Sequence, residues 1–290
     1  MHYLIPVDGK PHSQESIALA LRVFELAGNE VTLVHVVATQ EPTNATSATE
    51  PAPYESALLQ AERLLELIAQ PLTLLGCTVH KKVLQGLTSD SIAAAARSNS
   101  HSVTIVCPGP HSTQDLLLNG SVTAQLSQSH FPGTLVRARE INNAAAELWA
   151  VFLLDNSADA FMIRTLAPAL SKRLKILVVI PDPTAMVFAA PGSPTSSEEK
   201  LLHSERIKGA KEAADSEFAR LGLPYEHLVL TTRFKDWLIS FLRSNDVALL
   251  LIPQAKDGGQ KHLDFGLPEE EIFMKAPCPT ALCRTTASDT

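Results

Sequence analysis

The chain has 290 residues, enough for about two domains of ordinary size. Apolar residues make up 45% and charged residues 19%, which excludes disorder of the chain as a whole. Lys and Arg number 24 against 31 Asp and Glu, for a net charge of −7, with 8 basic and 12 acidic side chains in residues 1–145. No basic stripe is present to neutralise a phosphate backbone, so the expected partners include neither nucleic acid nor an anionic membrane.

Taken in order, residues 3–7 read as a first apolar strand and 13–27 as a helix, with Ile17, Leu21 and Phe24 on one face and Gly28 at its stop. Residues 31–37 form a nearly continuous apolar strand, as expected where both sheet faces are covered. Residues 38–52 are rich in turn formers and read as a loop. A long helix follows at 53–75, with Leu58, Leu65 and Ile68 in phase. Then come a strand at 79–84, a helix at 88–98, a strand at 103–107, a glycine-containing loop, a helix at 121–129 and a strand at 134–138.

The pattern then recurs. Val151-Phe152-Leu153-Leu154-Asp155 repeats Leu4-Ile5-Pro6-Val7-Asp8 at a distance of 147 residues. Pro279 through Arg284 repeats Pro132 through Arg137 at the same distance. Between these anchors the spacing gives strands at 148–154, 174–180, 226–231, 247–252 and 280–284. Helices are expected at 158–172, 197–220, 234–244 and 268–275. Such alternation implies open parallel α/β sheets, one in residues 1–141 and one in 146–290. Trp149 and Trp237 are expected in the core or at a domain contact.

The four cysteines show no CxxC spacing, which suits a reduced, cytoplasmic protein with core thiols. No apolar run reaches the roughly 18–20 residues of a membrane span. The first residues lack the basic and apolar regions of a signal peptide. No His, Cys or acidic spacing marks a metal site, and no residue set marks a catalytic one.

Ligands of open α/β sheets sit beyond the carboxyl ends of the strands. Here strand one ends Pro6-Val7-Asp8, strand two ends in Val36-Val37, and strand four leads into Pro108-Gly109-Pro110-His111-Ser112. Farther on lies Gly120-Ser121-Val122-Thr123, opening a helix whose free amides suit an anion. Asp8 offers a carboxylate to a sugar hydroxyl, an amino group or a magnesium ion. The plainer readings are a strand-ending Gly109, a loop His111, an N-capping Ser121 and a turn-forming Asp8. In the second half, Gly109 has no counterpart after Ile252-Pro253-Gln254. Leu267-Pro268-Glu269-Glu270-Glu271 replaces the glycine-serine helix start and would repel phosphate.

These motifs resemble the universal stress protein family in its two-domain form. The resemblance rests on Pro6-Val7-Asp8-Gly9, Leu33 through Val37, Gly86 through Ile92, the Gly109 to Thr123 loop and Pro132 through Val136. It departs from the family's G-x2-G-x9-G-[S/T] signature in two places. Ser112 stands at the second glycine, and seven rather than nine residues separate it from Gly120.

The resemblance implies an adenine nucleotide hydrolase-like fold in two copies paired as a pseudo-two-fold intramolecular dimer, with strand 134–138 against strand 280–284. It implies an ATP-type ligand (ATP, ADP or AMP, with magnesium) on the first half. Adenine and ribose would lie near Pro6, Val7, Asp8 and Val36. Phosphates would lie on Gly109, His111, Gly120, Ser121, Val122 and Thr123. The implied output is regulatory, through protein partners, with pairing of two chains into a homodimer left open. A slow ATP hydrolase and a nucleotide-free scaffold stand as alternatives.

Overall fold

The computed structural model describes residues 1–37, 53–98, 102–107, 122–128, 133–141, 147–182, 197–230, 234–254 and 269–284. The chain divides into two compact units. The first is Met1–Leu21 with Leu26–Ala138, and the second is Arg22–Glu25 with Arg139–Thr290.

In the first half the elements are β1 (His2–Pro6), α1 (Pro11–Val23), β2 (Glu30–Val37), α2 (Pro53–Leu74), β3 (Thr78–Gln85), α3 (Thr88–Arg97), β4 (Ser102–Val106), α4 (Val122–Gln128) and β5 (Thr134–Arg137). The strands are parallel, in the order β3-β2-β1-β4-β5. Tyr3, Leu4 and Ile5 are buried in succession, as are Val31 through Val34, because helices cover both faces of the central strands. The edge strand β3 is more exposed and carries Lys81 and Lys82, side chains that discourage pairing with another chain.

Helix α1 buries Ser13, Ser16, Ile17, Ala20 and Val23, a stripe at intervals of three and four residues. Leu21 falls outside that stripe and is 39% exposed, which corrects its expected place on the buried face. Gly28 has φ +75° and turns the chain into β2, as its place after the helix predicts.

The second unit holds β6 (Leu148–Leu153), α5 (Phe161–Leu166), β7 (Leu174–Pro181), α6 (Ser197–Leu221), β8 (Glu226–Leu230), α7 (Phe234–Ser244), β9 (Val247–Gln254), α8 (Glu269–Lys275) and β10 (Thr280–Arg284). Its parallel order is β10-β9-β6-β7-β8. The single helix expected over 158–172 is instead a 3₁₀ turn at Ser157–Ala160, the short α5 and a second 3₁₀ turn at Ala167–Ala169. Pro168 explains the break: its ring fills the place of an amide hydrogen and crowds the preceding turn.

The core of this unit centres on β6 and β9, whose residues from Ala150 to Leu153 and from Val247 to Ile252 are buried. Phe218 of α6 meets Phe152 edge to face, with ring centres 6.0 Å apart. Neither tryptophan is fully buried, which removes the core from the two places expected for them. Trp149 lies partly exposed under Lys175, whose Nζ is 5.4 Å from the ring centre. Trp237 is also partly exposed and stacks on Phe241 at 4.7 Å. Among the described residues, no helix is long and apolar enough to cross a membrane.

Candidate functional site

In the first unit the chain runs outward from β1 to β2 and β3, then crosses back to β4 on the other side of β1. The strand order therefore switches direction between β1 and β4, where the flanking helices diverge and leave a crevice at the carboxyl ends. Val7 and Asp8 follow β1 into this crevice, and Cys107 follows β4.

The loop after β1 is locked by its own side chains. The Val7 amide donates to the Val34 carbonyl at 2.8 Å, and Val7 is buried. The Ser13 hydroxyl donates to Asp8 Oδ1 at 2.5 Å and accepts from the Asp8 amide at 2.8 Å. The Lys10 amide donates to the same Oδ1 at 3.0 Å, closing an Asx turn. Gly9 makes the turn at φ +77°, and a Cβ there would stand 3.2 Å from Leu64 Cδ2. A glycine fits because the backbone is left-handed and α2 passes close by.

These contacts hold Asp8 as an anion. Burial pushes its carboxyl group up, but the bonds from Ser13 and the Lys10 amide, with the Lys10 charge, outweigh it and leave the group below the usual carboxylate range. The described bonds to its carboxylate all fall on Oδ1. The sign of the linkage follows. The depressed folded value contributes stability above about pH 3.8, and that contribution is lost as pH falls through the lower folded value. Asp8→Asn is therefore expected to flatten the acid end of the stability curve below about pH 4. Chemical denaturation between pH 5 and 2 measures this, and an unchanged slope contradicts it.

His35 adds a second fixed polar group. Its Nδ1 lies 2.8 Å from the Val7 carbonyl, which only accepts, so Nδ1–H is the donor. Across the switch point, the Cys107 thiol donates to Glu15 Oε2 at 3.1 Å. Burial first, then the Glu15 bond and charge and the charge of Asp8, push this thiol far above the ordinary range, against the pull of Arg137. Arg137 ends β5 and is 1% exposed, a buried cation whose charge reaches Cys107. Cys107 is thus no thiolate nucleophile. Native protein is expected to alkylate at Cys107 with iodoacetamide at pH 8 at least tenfold more slowly than denatured protein. Equal rates would contradict the geometry.

Of the residues expected at the site, Pro6, Val7 and Asp8 lie together at the carboxyl end of β1. Val36 lies on the neighbouring β2, two residues beyond Val34, the partner of Pro6. Val122 and Thr123 open α4, with Val122 partly exposed and the Thr123 side chain buried. Gly109, His111, Gly120 and Ser121 lie outside the described residues. Sequence reasoning did not place Glu15, Cys107 and Arg137 at the site. Cys107 and Glu15 lie 92 positions apart and meet only through the crossover. Ser13 carried a signal, five residues after Asp8 at the start of a helix.

The second unit has its own switch point between β6 and β9, and Asp155 follows β6 there as Asp8 follows β1. The surroundings differ. Arg206 of α6 brings its Nη2 to 3.1 Å from Asp155 Oδ1, with side chains 25% and 15% exposed. The amides of Asp155 and Asn156 donate to Asp159 Oδ2 at 2.7 and 3.1 Å, and Asn156 caps the turn that follows. A guanidinium thus neutralises the carboxylate that a ligand would otherwise meet. Glu269 is buried at the start of α8. Arg206→Met is expected to cost about 1–3 kcal/mol, less than the 3–5 of a fully buried pair because water reaches both groups. Urea unfolding of this variant and of Asp155→Asn/Arg206→Met tests it. The double variant should recover part of the loss.

Among the described residues, no group of three or more His, Cys, Asp or Glu is arranged to hold a metal ion.

The comparisons agree with this architecture. The chain superposes on a universal stress protein from Archaeoglobus fulgidus DSM 4304 with a TM-score of 0.59 and 14% identity, covering 99% of this chain and 97% of that one. A candidate universal stress protein from Pseudomonas aeruginosa UCBPP-PA14 gives 0.55 and 11%, over 98% and 92% of the two chains. The cytoplasmic domain of a prokaryotic cation chloride cotransporter gives 0.53 and 12%, over 97% and 94%. At these identities the likeness is one of fold. No curated protein matches the chain. The universal stress protein family model matches residues 1–137, the stretch that contains Asp8 and its crevice. That match covers a little under half of the chain, and over it the sequence is similar to the universal stress protein family.

Proposed function

We propose that the first unit binds an adenine nucleotide, ATP with magnesium in the first instance, at the β1–β4 switch point, and that the second unit binds none. The chain then acts as a cytoplasmic regulatory protein whose contacts with protein partners depend on the state of that ligand. The observation that carries this reading is Asp8, a carboxylate fixed by Ser13 and Lys10 at the carboxyl end of the central strand. Such a carboxylate accepts ribose hydroxyls as charge-assisted hydrogen bonds. Pro6 and Val36 supply apolar surface beside it. Gly109, His111, Gly120, Ser121, Val122 and Thr123 remain the proposed phosphate contacts.

The second unit is read as silent because Arg206 already satisfies the charge of Asp155. A nucleotide-free scaffold is the second reading. The observation that favours it is the Ser112 and short spacer of the loop.

Thermal unfolding with ATP-magnesium separates the two. Ligand at a hundred times its Kd stabilises a binding unit by about 2.7 kcal/mol, which reads as a rise of several degrees in Tm. Such a rise in the wild-type chain and in Asp155→Asn supports nucleotide binding in the first unit. No rise at millimolar nucleotide leaves the scaffold.

A further inference from the structure

Strand β1 stops pairing with β2 one rung early. The register runs from His2 against Glu30 to Pro6 against Val34, and the Val7 amide still donates to the Val34 carbonyl at 2.8 Å. In a parallel pair the next rung would bring the Val36 amide to the Val7 carbonyl. Among the described residues that rung is missing. The Val7 carbonyl accepts from His35 Nδ1 at 2.8 Å instead. A side chain of β2 has taken the acceptor that the backbone of β2 would otherwise use.

The peptide between Val7 and Asp8 is thereby pinned on both edges. Its carbonyl is held by His35, and its N–H donates to the Ser13 hydroxyl at 2.8 Å. That peptide leads directly into Asp8. The missing rung also leaves a donor behind. Backbone groups alternate in direction along a strand. The Val34 carbonyl serves β1, while the Val37 carbonyl accepts from the Gly86 amide, just past β3, at 3.3 Å. The Val36 N–H therefore points to the β1 side, where β1 has already left the sheet beside Asp8. Val36 is partly exposed, so water satisfies this amide until an acceptor on a ligand replaces it.

We infer that His35 is a positioning residue of the crevice: by occupying the Val7 carbonyl it ends the β1–β2 ladder early and keeps the Val36 amide open to a bound ligand. A donor at the Nδ1 place is what this role needs. Phenylalanine offers a ring of similar shape without the donor, and asparagine offers an amide nitrogen as many bonds from the backbone as Nδ1. The ligand half of the inference rests on the nucleotide reading above; the missing rung does not.

Amide exchange in the ligand-free full chain, resolved by residue, tests the rung. Val36 is expected to exchange at least tenfold faster than Val34, which lies inside the ladder. In His35→Phe the Val36 amide should close onto the vacated Val7 carbonyl and slow by about tenfold, as one backbone hydrogen bond allows. A residue that merely supported the fold would give the opposite, faster exchange at Val34 and Val36 alike. His35→Asn should keep Val36 fast. Calorimetric titration should show ATP-magnesium affinity falling about tenfold in His35→Phe. Slow Val36 exchange in ligand-free wild type overturns the inference, a result that needs no variant to fold. So does unchanged or faster exchange at Val36 in His35→Phe. A slowed Val36 with unaltered ATP-magnesium affinity overturns the role toward the ligand. If exchange behaves as expected and wild type binds no ATP-magnesium, the role of His35 in the ladder stands and the nucleotide reading falls.

Discussion

Asp8→Ala is expected to weaken ATP-magnesium binding by roughly ten- to a hundredfold while leaving the chain folded. The magnitude follows from the chemistry of the group. A hydrogen bond to a charged acceptor contributes about 1.5–3 kcal/mol, and 1.4 kcal/mol is a factor of ten in affinity. Asp8 is set for this role before any ligand arrives. Its Oδ1 is engaged by Ser13 and Lys10, which holds the carboxylate in place. Asp8→Asn keeps the shape and an acceptor but loses the charge, so it should fall between wild type and Asp8→Ala. Ser13→Ala removes the orienting bond without touching the acceptor, so a smaller loss is expected. Asp155→Asn should leave affinity unchanged. Calorimetric titration of the four variants reads all of this. Equal weakening by Asp8→Ala and Asp155→Asn would contradict the assignment of the site to the first unit.

Phe152→Ala is expected to be the most damaging truncation in the second unit, costing about 3–5 kcal/mol. Phe152 has no exposed surface, lies in the central strand β6, and meets Phe218 edge to face. Its removal forfeits the transfer free energy of the ring and leaves a cavity between sheet and helix. Neighbours on a parallel sheet cannot close over that cavity without breaking strand hydrogen bonds. Phe152→Leu retains much of the volume and should cost less. Denaturant unfolding with separate probes for the two halves checks this. A loss below about 1 kcal/mol would mean that the site collapses freely, contrary to the packing described.

The strands were the most legible part of the fold, for a physical reason. A parallel strand covered on both faces has little polar phase, so Val247 through Ile252 stands out as an unbroken apolar run and Val31 through Val37 as a nearly continuous one. The second helix region misled. Phe161, Ile163, Leu166 and Leu170 keep an apolar rhythm through a stretch where Pro168 forbids a continuous helix. Leu21 misled in a smaller way, because small residues such as Ser13, Ser16 and Ala20 form the buried stripe and carry little weight in a hydrophobic pattern. Trp149 and Trp237 show that a large apolar side chain also serves at the rim, where a lysine or another ring covers one of its faces.

The site divides along the same line. Asp8 was legible because it ends a strand, and strand ends are where ligands meet open sheets. Cys107, Glu15 and Arg137 were not, because they come from β4, α1 and β5 and only the crossover brings them together. The Asp155–Arg206 pair was hidden too. Asp155 was read from its match to Asp8, but its partner lies 51 residues on, in a long helix with many charges.

The most direct test of nucleotide binding by the first unit alone is to denature the freshly purified chain, identify any released small molecule by mass spectrometry, and count it per chain. With samples re-equilibrated in excess ATP-magnesium and washed, the account predicts close to one adenine nucleotide per wild-type chain. It predicts the same for Asp155→Asn and close to none for Asp8→Ala. Two nucleotides per wild-type chain, or one that survives Asp8→Ala and is lost in Asp155→Asn, would contradict it.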